Sequence, residues 1–411
     1  MSSDRGARRA FALTWIAYAS YYLCRKGVAV SKARLVTELG IAEPALAAID
    51  TAYLVAYAFG QFASGLGVQR FGGRKMIAIG MIGSALCCAA FGASTAAWAL
   101  VAAFAVNGLF QSTGWPAGTQ VMAAWYGRRD RGTAMGLWAT CYQVGGFAAT
   151  ALATALLASF GWRSAFFVPA VWVAIWGLVV LLALEERPPS AASEPAVADG
   201  DHDRATLRVV LSNPKVWVVG FAHCCLKIVL YGLIFWLPYY LHTAVGYDVA
   251  TSGYLSVSLE VGGILGTIVS GVLSDRAGGR HRSGVAAIMM LLLGFALVGY
   301  GLVDSRSAVV QALCIAGLGF LLFGPESLVA GAAAQDLGGA RDASMSVGAV
   351  NGIGSLGGIV QGWLTLGLRD AFGWTGVFYG FFVLAVTGAL ALLVAWKGWR
   401  GPLARSSVSP S

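Results

Sequence analysis

The chain has 411 residues, of which 58% are hydrophobic and only 11% charged, where soluble proteins of this length are roughly one-quarter charged. Its formal net charge is +9. The composition excludes an ordinary soluble globular domain. The long uninterrupted apolar runs exclude the short alternating strands of a membrane β-barrel.

Taken in chain order, the apolar runs predict twelve membrane-spanning helices. Six are expected over 11–36, 45–68, 76–95, 97–123, 133–158 and 163–184. Six more are expected over 214–241, 250–273, 284–303, 308–333, 342–368 and 373–396. The stretch 185–213, "EERPPSAASEPAVADGDHDRATLRVVLSN", is rich in Pro, Ser, Ala and acids and reads as a flexible linker. The expected organisation is an N-terminal six-helix bundle over 1–184, a cytoplasmic linker over 185–213, and a C-terminal six-helix bundle over 214–411 with a short cytoplasmic tail. The fold class is all-α membrane protein.

Twelve spans put both termini on one side. That side would carry Arg5, Arg8, Arg9, Arg70, Arg74, Lys75, Arg128, Arg129 and Arg131, then Arg276, Arg280, Arg282, Arg341, Lys397, Arg400 and Arg405. The opposite loops would carry only Lys32, Arg34, Arg163, Arg306 and Arg369. The positive-inside rule therefore predicts cytoplasmic termini in a cell inner membrane. The excess positive charge is then a topology signal and needs no nucleic acid. The first span holds Arg25 and lacks a small-residue cleavage site, so it does not read as a signal peptide. The seven cysteines fall inside spans, at spacings that suit neither a metal site nor a disulfide. No cofactor is implied, and a monomer is expected.

The two halves repeat each other. "GLGVQRFGGRK" (65–75) matches "GVLSDRAGGRH" (271–281), and "GWPAG" (114–118) faces "FGPES" (323–327). "VGGFAATALATALLASFGWRSAFF" (144–167) matches "LGGIVQGWLTLGLRDAFGWTGVFY" (356–379). Nearly constant offsets indicate a duplicated six-span unit, whose substrate site is expected near the midplane between halves.

These features resemble the major facilitator superfamily. "YASYYLCRKGVAV" (18–30), "GLFQSTGWPAG" (108–118), "GLWATCYQVGG" (136–146) and "LEVGGILGTIVSGVLSD" (259–275) resemble its organophosphate:phosphate antiporter family. "LKIVLYGLIFWLPYYL" (226–241) is similar to the animal sugar-phosphate exchangers of that family. The resemblance implies exchange of a phosphorylated metabolite for inorganic phosphate within a lipid bilayer. A sugar-phosphate sensor and a proton-coupled transporter of another organic anion are the alternatives. No nucleophile–base pair suggests an enzyme.

Charges inside spans are costly, at least ~2.5–3.5 kcal/mol each near the bilayer centre, and so mark cavities. Arg25 and Lys227 lie on the matching first helices of the two halves, so the repeat places one cation from each half near the symmetry axis. Arginine supplies a planar fork for two phosphate oxygens and lysine a point charge. Lys26, about 100° around the helix, is expected to raise the cavity's potential. Tyr18 and Tyr22 share the face of Arg25. The resemblance brings Tyr18, Tyr22, Tyr57, Trp115 and Trp138 to the cavity. Tyr142 and Gln61 stand where glycerol-phosphate exchangers of the family carry a histidine and a lysine.

Glu260 is the expected charge partner of Lys227 or Arg25 in the empty site, and a switch that yields to the anion. Glu326 is a departure from the family that the chain resembles; an acid facing an anion site is repulsive unless protonated or paired, and the alternative is that it faces a helix neighbour. His223, one turn before Lys227, fits the cavity or packing, and His242 an outer loop. Gly262/Gly266 and Gly354/Gly358 form small-xxx-small pairs that allow close helix approach.

Overall fold

A computed structural model describes residues 2–126, 131–187, 210–276 and 282–398. Most of the expected linker, the arginines of the loop at 127–130, the loop at 277–281 and the tail beyond 398 lie outside the described residues.

The described chain is helical almost throughout, with no strand. The first half comprises α1 (Ser2–Tyr21), α2 (Leu23–Leu39), α3 (Glu43–Phe71) and α4 (Gly73–Ala93), followed by α5 (Ala97–Gln111), α6 (Gly114–Trp125), α7 (Arg131–Phe160) and α8 (Ser164–Ala183). The second comprises α9 (Pro214–Tyr240), a π-helical turn Leu241–Val245, α10 (Val249–Arg276), α11 (Arg282–Gly301), α12 (Ala308–Ser327), a second π-helical turn Leu328–Ala333, and α13 (Ala334–Gly398).

Three interruptions depart from simple spans. The first span is α1 and α2 joined at Tyr22, just before the buried cations. The fourth is α5 and α6, broken at Ser112 and Thr113. Pro116 explains that break, because its ring displaces the carbonyl four residues back and offers no N–H. The matching tenth span carries Pro325 and passes into the π-helical turn three residues later.

The last helix is the largest surprise. Ala334–Gly398 is helical over 65 residues, roughly 98 Å if straight. It is not straight. Gly354 packs against His223, Gly388 against Ala222 and Cys225, and Gly380 against Leu368, so two arms lie side by side on α9. The reversal is at Gly373, whose φ of +69° is left-handed and open to glycine at no steric cost. The two spans expected over 342–368 and 373–396 are these arms.

Eight described stretches are long and apolar enough to cross a membrane, the last of them, Ser346–Trp396, being the doubled one. The first, second and fourth spans, which are broken or carry internal charges, complete the twelve. Large apolar side chains such as Phe59, Leu86, Leu182 and Leu313 are exposed on the outer surface. In water such a surface would aggregate; against lipid it is the required one.

Apolar residues form two main cores. One draws almost wholly on residues before 185, with Phe235, Trp236, Tyr239 and Leu366 added from the second half. The other lies within 210–395. Gly262 and Gly266 press on the backbone of Ala316 and Phe320 in α12, so this close approach is inside the second core rather than between halves. The halves meet through α2 and α9, α3 and α13, and α7 and α10.

Candidate functional site

Just beyond the break at Tyr22, Arg25 enters the space between the two cores. It is buried, at 9% exposure. Its guanidinium carbon lies 5.6 Å from the ring centre of Tyr22, 5.2 Å from Tyr53, 5.9 Å from Tyr57 and 5.6 Å from Tyr231. Each face contributes ~0.5–2 kcal/mol, more as water is excluded. None supplies a negative charge. Among the described residues, no carboxylate forms an ion pair with Arg25.

Lys227 has a different setting. Its ammonium is 5.4 Å from the same Tyr231 ring, so one tyrosine bridges the two cations. It pairs with Glu326 Oε1 at 2.8 Å. The other Glu326 oxygen lies 3.0 Å from His223 Nε2. The sequence pointed to Glu260 as the partner of Lys227, and the structure corrects this. Glu260 pairs with Lys26 Nζ at 2.5 Å, across the halves, with Thr150 Oγ1 at 3.5 Å. The physical reason is the divergence of adjacent helical residues. Arg25 faces the tyrosines, and Lys26 faces α10, where Glu260 comes up beside Gly146. Glu260 Oε2 is buried without a hydrogen-bond partner.

Tyr18 packs against Trp115 at 5.3 Å, Trp138 at 5.6 Å and Tyr22 at 6.1 Å between ring centres. Trp138 is fully buried and donates its indole N–H to Thr14 Oγ1 at 3.0 Å, so it braces this aromatic cluster from behind. Tyr142 lies within electrostatic reach of Glu326 and Lys227. Next to it, Gln143 Nε2 donates to Thr267 Oγ1 at 2.8 Å across the halves. His242 sits in the first π-helical turn, with Nδ1 2.7 Å from the Tyr247 carbonyl, away from the cations.

Sequence reasoning missed Tyr53 and Tyr231. Each carries a usable signal: Tyr53 precedes Tyr57 by four residues, and Tyr231 follows Lys227 by four, so each shares a helical face with a named residue. Gly354 and Gly358 make room for the site. A methyl group at Gly354 would lie 2.5 Å from the His223 ring, and one at Gly358 would lie 2.9 Å from Tyr231.

The end of the bundle away from the N-terminus is closed over these residues. Glu43 accepts hydrogen bonds from Arg369 and from the Tyr239 hydroxyl, both from the other half. Thr51 Oγ1 donates to the Ile359 carbonyl at 3.2 Å. Lys32, read from the sequence as a loop charge, is instead fully buried in α2, paired with Asp50 at 2.6 Å and 3.8 Å below the Trp236 ring centre. Arg369 is likewise a clasp residue rather than a free loop charge.

The Major Facilitator Superfamily model matches residues 14–362. Sugar phosphate exchanger 3 of Gallus gallus is 32% identical, over 83% of this chain and 76% of its own length. The membrane sensor protein UhpC of Escherichia coli is 27% identical, over 94% of this chain and 91% of its own. A crystal structure of a bacterial homologue of the human lysosomal transporter Spinster superposes with a TM-score of 0.76 at 16% identity, covering 96% of each chain, and so shares the fold. A doubled helical membrane fold with paired cations between its halves and this degree of identity places the chain in the organophosphate:phosphate antiporter family of the Major Facilitator Superfamily.

Proposed function

We propose that the chain exchanges a phosphorylated metabolite for inorganic phosphate by alternating access, as a transporter rather than an enzyme. The observation that carries this reading is Arg25, a buried guanidinium with aromatic faces but no described carboxylate. A permanent cation held this way has capacity for an anion. A phosphoryl group placed between Arg25 and Lys227 would take two N–H donors from the fork and one point charge from the lysine. Both exchanged anions present that same group, so one site serves each in turn. Tyr22, Tyr53, Tyr57 and Tyr231 offer hydroxyls to the same oxygens. Lys26, Tyr18, Trp115, Trp138 and Tyr142 shape the surroundings.

In this reading the chain lies in the cell inner membrane as a monomer, with cytoplasmic termini. Residues 1–184 and 214–411 rock as two units about the site. Glu260 and Lys26 then act as a cross-half latch: closure of the far end joins them and opening parts them. The relative named as a sensor favours a second reading, in which a sugar phosphate binds without being carried.

One experiment separates the two. Proteoliposomes loaded with inorganic phosphate are given labelled phosphate outside, with and without a panel of phosphorylated metabolites. Exchange predicts labelled phosphate uptake that one or more metabolites replace competitively and that stops when the vesicles hold no phosphate. Binding of a metabolite with no flux of any anion would establish the sensor instead.

A further inference from the structure

Glu326 disturbs the charge balance of this site. In the closed arrangement Lys227 and Glu326 cancel, as do Lys26 and Glu260, so among the described residues of the site only Arg25 has no carboxylate partner. A dianionic phosphoryl group bridging Arg25 and Lys227 must displace Glu326 from the lysine. Two cations then face two negative charges on the anion and one on Glu326. A net buried negative charge is costly unless something compensates it.

The compensating group is adjacent. His223 is fully buried, and both ring nitrogens face acceptors: Nε2 lies 3.0 Å from Glu326 Oε2 and Nδ1 3.4 Å from the Val350 carbonyl oxygen. A neutral imidazole has one N–H and can satisfy only one of them; an imidazolium has two and satisfies both. The groove that admits the ring exists because residue 354 is glycine. Among the described residues, the charged or titratable groups facing the pair are Lys227 and Tyr231 from α9 itself, and Tyr142 from α7. Beyond Tyr231 come Arg25 from α2 and Tyr57 from α3. From α13 the ring meets a carbonyl and a glycine.

We propose that the His223–Glu326 pair is a proton site, and that each dianionic phosphoryl group enters with one proton and leaves with it. The proton comes from water on the open side, occupies the second ring nitrogen of His223, and returns to water where the anion is released. No covalent bond to the substrate forms or breaks. Loaded, the site holds Arg25 and Lys227 against the dianion and imidazolium against carboxylate. Exchange through this chain is thus proton-linked, an activity that the two cations alone do not require. His223 and Glu326 act as charge-balancing residues and do not touch the anion.

This rests on the exchange reading, and the test separates the two. Phosphate binding to the detergent-solubilised full chain is followed by calorimetry at alkaline pH, in two buffers of different ionisation enthalpy. The wild type should take up about one proton per phosphate bound, and its affinity should fall about tenfold per pH unit as the proton becomes scarce. Glu326→Gln and His223→Asn should each bind phosphate with little or no proton uptake, and Glu326→Gln should hold its affinity at high pH. Uptake unchanged in both variants would place the proton on phosphate itself and overturn the proposal. So would binding by the wild type with no proton uptake, which leaves exchange intact. Absence of phosphate binding altogether would overturn both readings.

Discussion

Arg25 and Lys227 occupy matching helices in the two halves, yet their surroundings differ. Arg25 is held by four tyrosine rings and no described carboxylate; Lys227 is neutralised by a glutamate that a histidine backs. In the proposed exchange, the first half therefore presents a standing charge to an incoming anion. The second presents one that must first be released. Sequence duplication fixed where the cations sit and left their electrostatic roles free to diverge.

The largest test of this asymmetry is to remove each cation. Arg25→Ala strands no carboxylate, so phosphate binding should weaken on the order of 100-fold, and the stability lost should be only that of the ring contacts, less than at Lys227. Lys227→Ala should lose exchange and also stability, on the order of 3 kcal/mol, because Glu326 is left buried with a histidine alone. Lys227→Ala/Glu326→Gln should regain that stability without regaining exchange. If the two single variants unfold alike, the asymmetry is not energetic. A smaller effect is expected at Arg25→Lys, which keeps charge but loses the fork. It should cost about 1–2 kcal/mol of phosphate affinity, measured beside Lys227→Arg. Smaller still, Tyr231→Phe keeps the ring between the cations and loses one hydroxyl, for about 1 kcal/mol in the same titration. A loss as large as that of Arg25→Ala would make Tyr231 a principal ligand.

The smallest effect belongs to the clasp at the far end. Hydrogen bonding from Arg369 holds the Glu43 carboxyl below its ordinary value. A depressed value stabilises the closed clasp above the usual carboxylate range, near ~4.3, and the contribution is lost as pH falls through the lower folded value. Wild type should therefore melt about a degree or two above Glu43→Gln at neutral pH, since the pair is partly exposed. The difference should vanish on acidification. A gap that persists in acid would assign it to packing.

Much of this was legible in the sequence. Hydropathy pointed to the spans, duplication to two matching halves, and the cost of intramembrane charge to Arg25, Lys227, Glu260 and Glu326. Pairing was not legible. Which acid meets which lysine depends on where α10 and α12 stand around α9, and one sequence does not carry those angles. Lys32 was misread for a related reason. A lysine a few residues past an apolar run looks like a loop flank, and only the fold reveals that Asp50, in the next helix, meets it under Trp236. Tyr53 and Tyr231 were within reach of helical spacing applied one step further.

The reversal at Gly373 bears on how the chain enters a bilayer. Its two arms are joined by a single left-handed residue with no polar loop between them. The charged residues nearest the bend in sequence, Arg369 and Asp370, pair with each other at 2.6 Å. Under the proposed topology, with cytoplasmic termini, insertion of the last two arms as one helical hairpin would carry a compact, internally neutralised tip across the hydrocarbon.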